Sequence, residues 1–384
     1  MQLERNTGIR APRRAAGSPT ILACVLAGLW AILAALPETH GTFLTQGNIA
    51  MLLAQSAVLL VVSVGMTMVV LIRGIDLSVG ATVAITGTVA ALAHSKLGLP
   101  VPLAIAAALA CGAAIGAWHG AWIAWLGVPA FVVTLAGFKG YRGGALVLSR
   151  AQSLTIGDDF AFLNGRVPAA ATWAIVLAVL ACGLAVTLRD ATRRRALGLE
   201  ALTTATVATR AAGQVLLAAL VIAVFGTTGM PVVVLVAGAV ALAGVVVTSR
   251  TRFGRHLYAI GGNPEAARLS GIDVRRATLV AYVIVGVLAG VAGLLLAART
   301  NSVTPGSQGN LLELDAVTAV VIGGTSLSGG RGSVAGTVLG TLVFTTLANG
   351  MNLLAIDSNW QLVCTGSLLL AAVLIDVVSK GKRS

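Results

Sequence analysis

Residues 277–298 read ATLVAYVIVGVLAGVAGLLLAA, an apolar run without Lys, Arg, Asp or Glu, closed by Arg275 and Arg276 on one side and Arg299 on the other. A bilayer core is about 30 Å thick and an α-helix rises about 1.5 Å per residue, so about 20 such residues cross it. This run is long enough, and it recurs in kind. Residues 49–72, 101–126 and 229–248 are equally free of those four residue types, and 20–37, 169–188, 334–356 and 360–379 are nearly as clear. Weaker candidates are 79–93, then 130–149 with Lys139 and Arg142 inside it, and 206–226, which begins near Arg210. Residues 314–324 are too short to cross and end in Gly323-Gly324, which predicts a broken or re-entrant segment. The expected fold class is an all-α polytopic membrane protein of about 10–12 transmembrane helices, some broken or re-entrant.

The rest of the composition agrees. Of 384 residues, 57% are hydrophobic and 10% charged, with a net charge of +13. Nucleic acid is not the expected partner, because no soluble stretch is long enough to build a basic face. The positive charge instead gathers in Arg5 to Arg14, Arg189 to Arg210, Arg250 to Arg276, and Lys380, Lys382 and Arg383, with Arg73 alone between spans. Loops 38–48 and 227–230 have no basic residue. Under the positive-inside rule this places the N-terminus and the basic loops in the cytoplasm. A basic start followed by an apolar run also resembles a signal peptide. The run is longer than the usual hydrophobic region of one, so the first helix is expected to be retained. The four cysteines, Cys24, Cys111, Cys182 and Cys364, fall in apolar spans without Cys-x-x-Cys spacing and read as packing residues, with no metal or disulfide.

The expected organisation is a cytoplasmic tail 1–19, one transmembrane domain 20–379 and a cytoplasmic tail 380–384. Cytoplasmic loops 189–212 and 249–276 interrupt the domain. Between them, 206–226 and 229–248 are joined by the tight turn Gly226-Thr227-Thr228-Gly229.

Inside the second loop, Asn263-Pro264-Glu265-Ala266-Ala267-Arg268-Leu269-Ser270-Gly271 has the marks of a helix over about 264–270. Asn263 is a favoured N-cap and Pro264 fits the first turn. Glu265 puts negative charge at the positive end of the dipole, and Gly271 can take the left-handed closing conformation. A helix of about seven residues is marginal in water, so something else must hold it.

Glu265-Ala266-Ala267, three residues and Gly271 resemble the EAA-x-x-x-G loop of ABC importer permeases, whose short coupling helix docks into a groove of the ATPase. Four further stretches are similar to the ribose/xylose-type sugar permeases and occur in that family's order. They are Arg73-Gly74-Ile75-Asp76-Leu77-Ser78-Val79-Gly80, Pro129 to Gly137, Tyr258-Ala259-Ile260-Gly261-Gly262-Asn263 and Ile322-Gly323-Gly324-Thr325-Ser326-Leu327. The basic loop and extra helix at 189–226 look like an insertion of the xylose-type members that shorter ribose-type members lack.

The resemblance implies a non-enzymatic subunit that carries a monosaccharide, D-xylose foremost with ribose as the alternative, across the bacterial inner membrane. Its implied partners are an ABC ATPase subunit that binds ATP and Mg, a periplasmic sugar-binding protein, a second copy of the chain, and the lipid bilayer. Gly262, Asn263, Pro264, Glu265, Ala266, Ala267, Arg268, Gly271 and Ile272 would form the ATPase-coupling segment. Asp76, Ser78, Thr134, Arg142, Asp315, Thr325 and Ser326 are candidates for the translocation pathway.

Each candidate has a plainer reading. Asp76 can simply cap the helix that begins near Val79. Arg142 can pair with Asp76 or Asp315, or snorkel. Leu327-Ser328-Gly329-Gly330-Arg331 looks like an ATPase signature, but the chain has no Gly-x-x-x-x-Gly-Lys-Ser/Thr loop to cradle phosphates, so the glycines are expected to break a helix. Trp118, Trp122 and Trp125 read as an interfacial belt. Polar residues of loops 150–168 and 299–313, including Asp158, Asp159, Asn164, Ser307, Asn310 and Glu313, are expected to be solvated or to receive the sugar-binding protein. An ion-coupled secondary transporter is the main rival, and it would want more ionisable groups among the spans.

Overall fold

A computed structural model describes residues 19–198 and 203–381. The expected tail with Arg5 to Arg14, residues 199–202 of the first basic loop, and Lys382 and Arg383 lie outside the described residues. The helices are α1 (Pro19–Ala35), α2 (Gln46–Leu71), α3 (Val79–Ser95), α4 (Val101–Ala124), α5 (Ala130–Ser149), α6 (Ala161–Asn164), α7 (Ala169–Ala196) and α8 (Thr204–Phe225). They continue with α9 (Val232–Arg250), α10 (Arg252–Gly262), α11 (Pro264–Leu269), α12 (Val274–Thr300), α13 (Leu312–Ile322), α14 (Val334–Leu353) and α15 (Ser358–Gly381). Eight of them, α2, α4, α7, α8, α9, α12, α14 and α15, are long and apolar enough to cross a membrane. Helices α1 and α3 are shorter apolar helices, α5 carries the two basic residues noted above, and α13 has only 11 residues. The chain is an all-α polytopic membrane protein.

Four two-residue strands are the only ones among the described residues. The first, β1 (Leu154–Thr155), pairs with β4 (Ser302–Val303), and β2 (Arg166–Val167) pairs with β3 (Met230–Pro231). Both pairs pin the 150–168 connection to other loops at the end of the bundle opposite α10 and α11.

Helix α2 runs through the middle. From Ser56 to Leu71 nearly every residue is buried, against α9, α12, α13 and α14. In a bilayer the driving force between helices is close packing, and small residues permit it. The seam between α4 and α12 is built that way. Ala104, Ala108, Gly112, Gly116 and Gly120 recur every fourth residue on the buried face of α4. A Cβ on Gly112 would strike the Gly286 carbonyl of α12, one on Gly116 the Tyr282 carbonyl, and one on Gly286 the Gly112 carbonyl.

Polar pairs supplement the packing. Thr67 and Thr337 hydroxyls lie 2.7 Å apart between α2 and α14. Asn48 Nδ2 donates to Asn349 Oδ1 (3.1 Å), and Asn349 Nδ2 donates back to Asn48 Oδ1 (3.0 Å). Replacing one partner strands a buried amide, which costs about 1–3 kcal/mol, whereas replacing both with apolar groups costs much less. Asn349→Leu is therefore expected to lower thermal stability in detergent, and the Asn48→Leu/Asn349→Leu double variant to recover part of the loss. Additive losses in that cycle would contradict a reciprocal pair.

Three local expectations change. The basic residues from Arg189 to Arg194 lie on the last turns of α7, not in a loop, because Arg and Ala sustain a helix beyond its apolar stretch. Loop 249–276 contains a second helix, α10, whose Leu257 and Ile260 turn inward while its arginines stay outward. Cys24, Cys182 and Cys364 are exposed on the outer surface of the bundle and do not pack inside it, and Cys111 is half-buried. An apolar span has a lipid-facing side that composition cannot tell from its packed side.

Candidate functional site

Helix α11 has only six residues, and the chain secures it at both ends. The Asn263 carbonyl Oδ1 accepts from the N–H groups of Glu265 (3.0 Å) and Ala266 (3.1 Å). Gly271 adopts φ +80°, and Ser270 N–H and Ile272 N–H return to the carbonyls of Ala266 (3.0 Å) and Ala267 (3.1 Å). Ala267 is buried with Ile260 and Ala277, with half-buried Ile272 beside them, so one methyl group anchors the rod to α10 and α12. Apart from half-buried Pro264, the rest of the helix faces outward. Glu265, Ala266 and Arg268 are exposed, and Leu269 is 77% exposed.

The Arg268 guanidinium grips Glu265 through both oxygens, at 2.6 and 3.2 Å. That hydrogen bond holds the Glu265 carboxyl below its ordinary range and raises the Arg268 guanidinium, so both stay charged at neutral pH. The expected coupling segment is thus an exposed helix with a fixed charge pair and a bare leucine. Gly262 ends α10 directly before it.

The pathway candidates fall in three places. Asp76, Ser78 and Thr134 gather at the break between α2 and α3. Asp76 Oδ1 accepts from Ser78 N–H (2.8 Å) and Ser78 Oγ–H (2.6 Å), which makes a local turn. Asp76 therefore does not cap α3 directly, whose N-cap is Ser78. Thr134 Oγ donates to the carbonyls of Ala130 (2.9 Å) and, across from α5, Ile75 (3.3 Å). Beside them stands His119, which no motif of the sequence marks. His119 Nδ1 lies 3.8 Å from Asp76 Oδ2, and Tyr141 OH lies 2.9 Å from His119 Nε2. Tyr282 meets the His119 ring edge-on at 6.2 Å. His119 lies next to Gly120 on the small-residue face of α4, a position that signals burial.

Arg142 takes up neither carboxylate. Its NH1 donates to the carbonyls of Pro305 (2.9 Å) and Gln308 (2.6 Å). The 301–311 segment is accordingly not a solvated loop throughout: Pro305 and Gln308 are buried, and Gln308 Nε2 reaches the Gly293 carbonyl of α12 (3.4 Å). Glu313 is 5% exposed, with its carboxylate against Gly80 in the first turn of α3, where the helix dipole favours an anion. Asp315 follows two residues on and is half-buried. A segment that dips among helices must have its backbone groups satisfied by protein, and Arg142 does that for two of them.

Thr325 and Ser326 lie in the turn between α13 and α14. Ser326 Oγ donates to Asp376 Oδ2 of α15 (3.4 Å), and Thr325 packs on Gly332. Buried side-chain atoms with no protein hydrogen-bond partner among the described residues include His119 Nδ1, Tyr282 OH, Gln308 Oε1, Glu313 Oε2 and Thr325 Oγ1.

A bundle of membrane-crossing helices that buries a seam of polar side chains and presents a short capped helix outside its spans is the architecture of a polytopic membrane protein, and similarity to known proteins makes it a permease component. Residues 48–373 match the family described as branched-chain amino acid transport system / permease component. The xylose transport system permease protein XylH of Escherichia coli (strain K12) is 38% identical over 347 residues, covering 89% of this chain and 88% of the relative. XylH of Haemophilus influenzae is 37% identical over 353 residues, covering 90% and 92%. The ribose import permease protein RbsC of Escherichia coli (strain K12) is 35% identical over 354 residues, covering 91% and 92%. No solved structure matches. The chain belongs to this family of permease components.

Proposed function

We propose that this chain is the transmembrane subunit of an ATP-driven importer of a monosaccharide, D-xylose foremost, in the bacterial inner membrane. The observation that carries the reading is α11: a helix too short to persist alone, fixed by one buried methyl group and largely presented outward with Leu269 bare. Similarity to permeases named for xylose and ribose supplies the substrate class, and the slightly higher identity to the xylose proteins orders the two sugars.

The basic end of the bundle, with α10 and α11, is the cytoplasmic side, and the N-terminus lies there too. Two copies of the chain line one pathway between them. A periplasmic binding protein delivers the sugar, and the ATPase subunits, which hold ATP and Mg, close on nucleotide and move α11 of each copy. Transport alternates access between the two sides and makes no covalent bond. Inside the spans, Asp76, Ser78 and His119 are buried and only Tyr141 of that seam is half-exposed, so the seam's role is to hold the break between α2 and α3, and the sparse polarity elsewhere suits a neutral solute that is passed without tight binding.

The test is reconstitution in liposomes with the cognate ATPase and binding protein. Uptake of D-xylose is expected to require ATP, and D-ribose to compete poorly. Uptake by the chain alone, driven by a proton or sodium gradient, would overturn the importer reading. Ribose uptake that exceeds xylose uptake would overturn only the choice of sugar.

A further inference from the structure

Three backbone segments meet beside α11 in a way that the expected coupling role does not by itself require. At the end of α2, Arg73 has a left-handed backbone, φ +68°, and its N–H and that of Gly74 return to Val70 (2.9 Å) and Val69 (2.9 Å). From there its side chain reaches the last turn of α10, where Nε donates to the Gly261 carbonyl (2.8 Å) and NH2 to the Gly262 carbonyl (2.7 Å). The last carbonyls of a helix lack intrahelical partners and carry its negative end, so a cation with two donors in a fixed fork suits them.

The third segment is the turn at Gly329 and Gly330. Gly330 N–H donates to the Leu71 carbonyl (2.9 Å), and a Cβ on Gly261 would strike both the Leu71 carbonyl and the Gly330 nitrogen. Tyr258 of α10 adds a hydrogen bond to the Gly332 carbonyl (3.0 Å). The pentapeptide that looks like an ATPase signature is therefore one side of a joint against the end of α2 and the end of α10.

We infer that Arg73 is a positioning residue that transmits movement of α10 and α11 to the break between α2 and α3. This rests on the importer reading above. Arg73 ends the helix that forms the centre of the bundle, and only Gly74 and Ile75 separate it from Asp76, which with Ser78 and His119 forms the polar turn at that break. A displacement of α10 pulls directly on Arg73, and with so short a connection the displacement passes to Asp76. A mere brace between two loops would contribute to stability but would leave the sugar carried per ATP unchanged.

Arg73→Gly removes the guanidinium while tolerating the left-handed backbone, and Arg73→Lys keeps the charge with one point of contact. Both are reconstituted with the cognate ATPase and binding protein, beside wild type, and the readouts are complex assembly, melting temperature, ATP hydrolysis and D-xylose uptake. The expected result is an assembled complex that hydrolyses ATP, with a melting temperature lowered only by the loss of the two hydrogen bonds to the Gly261 and Gly262 carbonyls. Its sugar transported per ATP falls about tenfold in Arg73→Gly, within the range of coupling free energies between sites, and by less in Arg73→Lys. Transport per ATP within about twofold of wild type in Arg73→Gly overturns the inference, and so does loss of the assembled complex in both variants, because Arg73 would then serve folding. If wild type itself takes up sugar without ATP, the importer reading fails. If wild type is ATP-driven and Arg73→Gly is equally coupled, only the role of Arg73 fails.

Discussion

Glu265→Lys is expected to abolish ATP-driven sugar uptake and release the ATPase subunit while the chain still inserts and folds. Glu265 lies outside every span and its side chain is exposed, so the membrane bundle does not depend on it. Two things change on the exposed face of α11. The Glu265–Arg268 pair, 2.6 Å at its closest, is replaced by two like charges one turn apart, and a cation now stands in the first turn, at the positive end of the dipole. On the proposed reading, a partner groove that accepts the Glu265–Arg268 pair would meet an uncompensated cation, and like-charge placement at an interface is a strong source of discrimination. Affinity-tag capture of the ATPase from membranes and ATP-dependent uptake in vesicles check it. Both are expected to fall by more than about tenfold, a change of about 1.4 kcal/mol in association. Capture and uptake at wild-type level would remove α11 from the coupling role.

The second large effect belongs to the α4–α12 seam. A leucine at Gly112 or Gly286 has no space: the first atom of its side chain already collides with a backbone carbonyl of the facing helix, and neither helix can yield without leaving its other partners. Overpacking in a closely packed interior costs about 1–3 kcal/mol and occasionally more. Here the clash is against backbone, so each variant is expected to lose most of its folded yield, measured by size-exclusion profile and thermal unfolding in detergent. Gly366→Leu on α15 is the matched control, since nothing lies within 4 Å of a Cβ there, and it is expected to behave as wild type. Equal stability of Gly286→Leu and Gly366→Leu would show that the two helices do not meet as described.

Both predictions concern features whose residue types were visible along the chain, but their legibility differs. The α11 caps could be read position by position: Asn263 accepts the two N–H groups expected of an N-cap, Pro264 opens the helix, and Gly271 closes it at φ +80°. Capping is settled within a few residues, so sequence order carries all of it. The break at Gly323 and Gly324 was legible for the same reason. Arg142 was legible only as a question. An arginine within a span must find partners, but whether they are Asp76, Asp315, the membrane surface or the carbonyls of Pro305 and Gln308 depends on which segment folds against α5. Glu313 was placed wrongly among solvated loop residues, because a polar stretch that dips between helices has the composition of one that does not.

Where apolar runs long enough to cross a bilayer lie and the local signals that start and stop helices were determined by residue order alone, because membrane length and capping chemistry act on neighbouring residues; their number was not, since about 10–12 were expected and eight helices are long and apolar enough. Which face of each span packs and which meets lipid was decided only in three dimensions. The small-residue stripe of α4 identifies a face suited to close approach, yet only the approach of α12 makes it a seam. His119 finds Asp76 and Tyr141, and Arg73 finds the end of α10, through contacts between residues far apart in sequence, which the order of residues leaves open until the helices have packed.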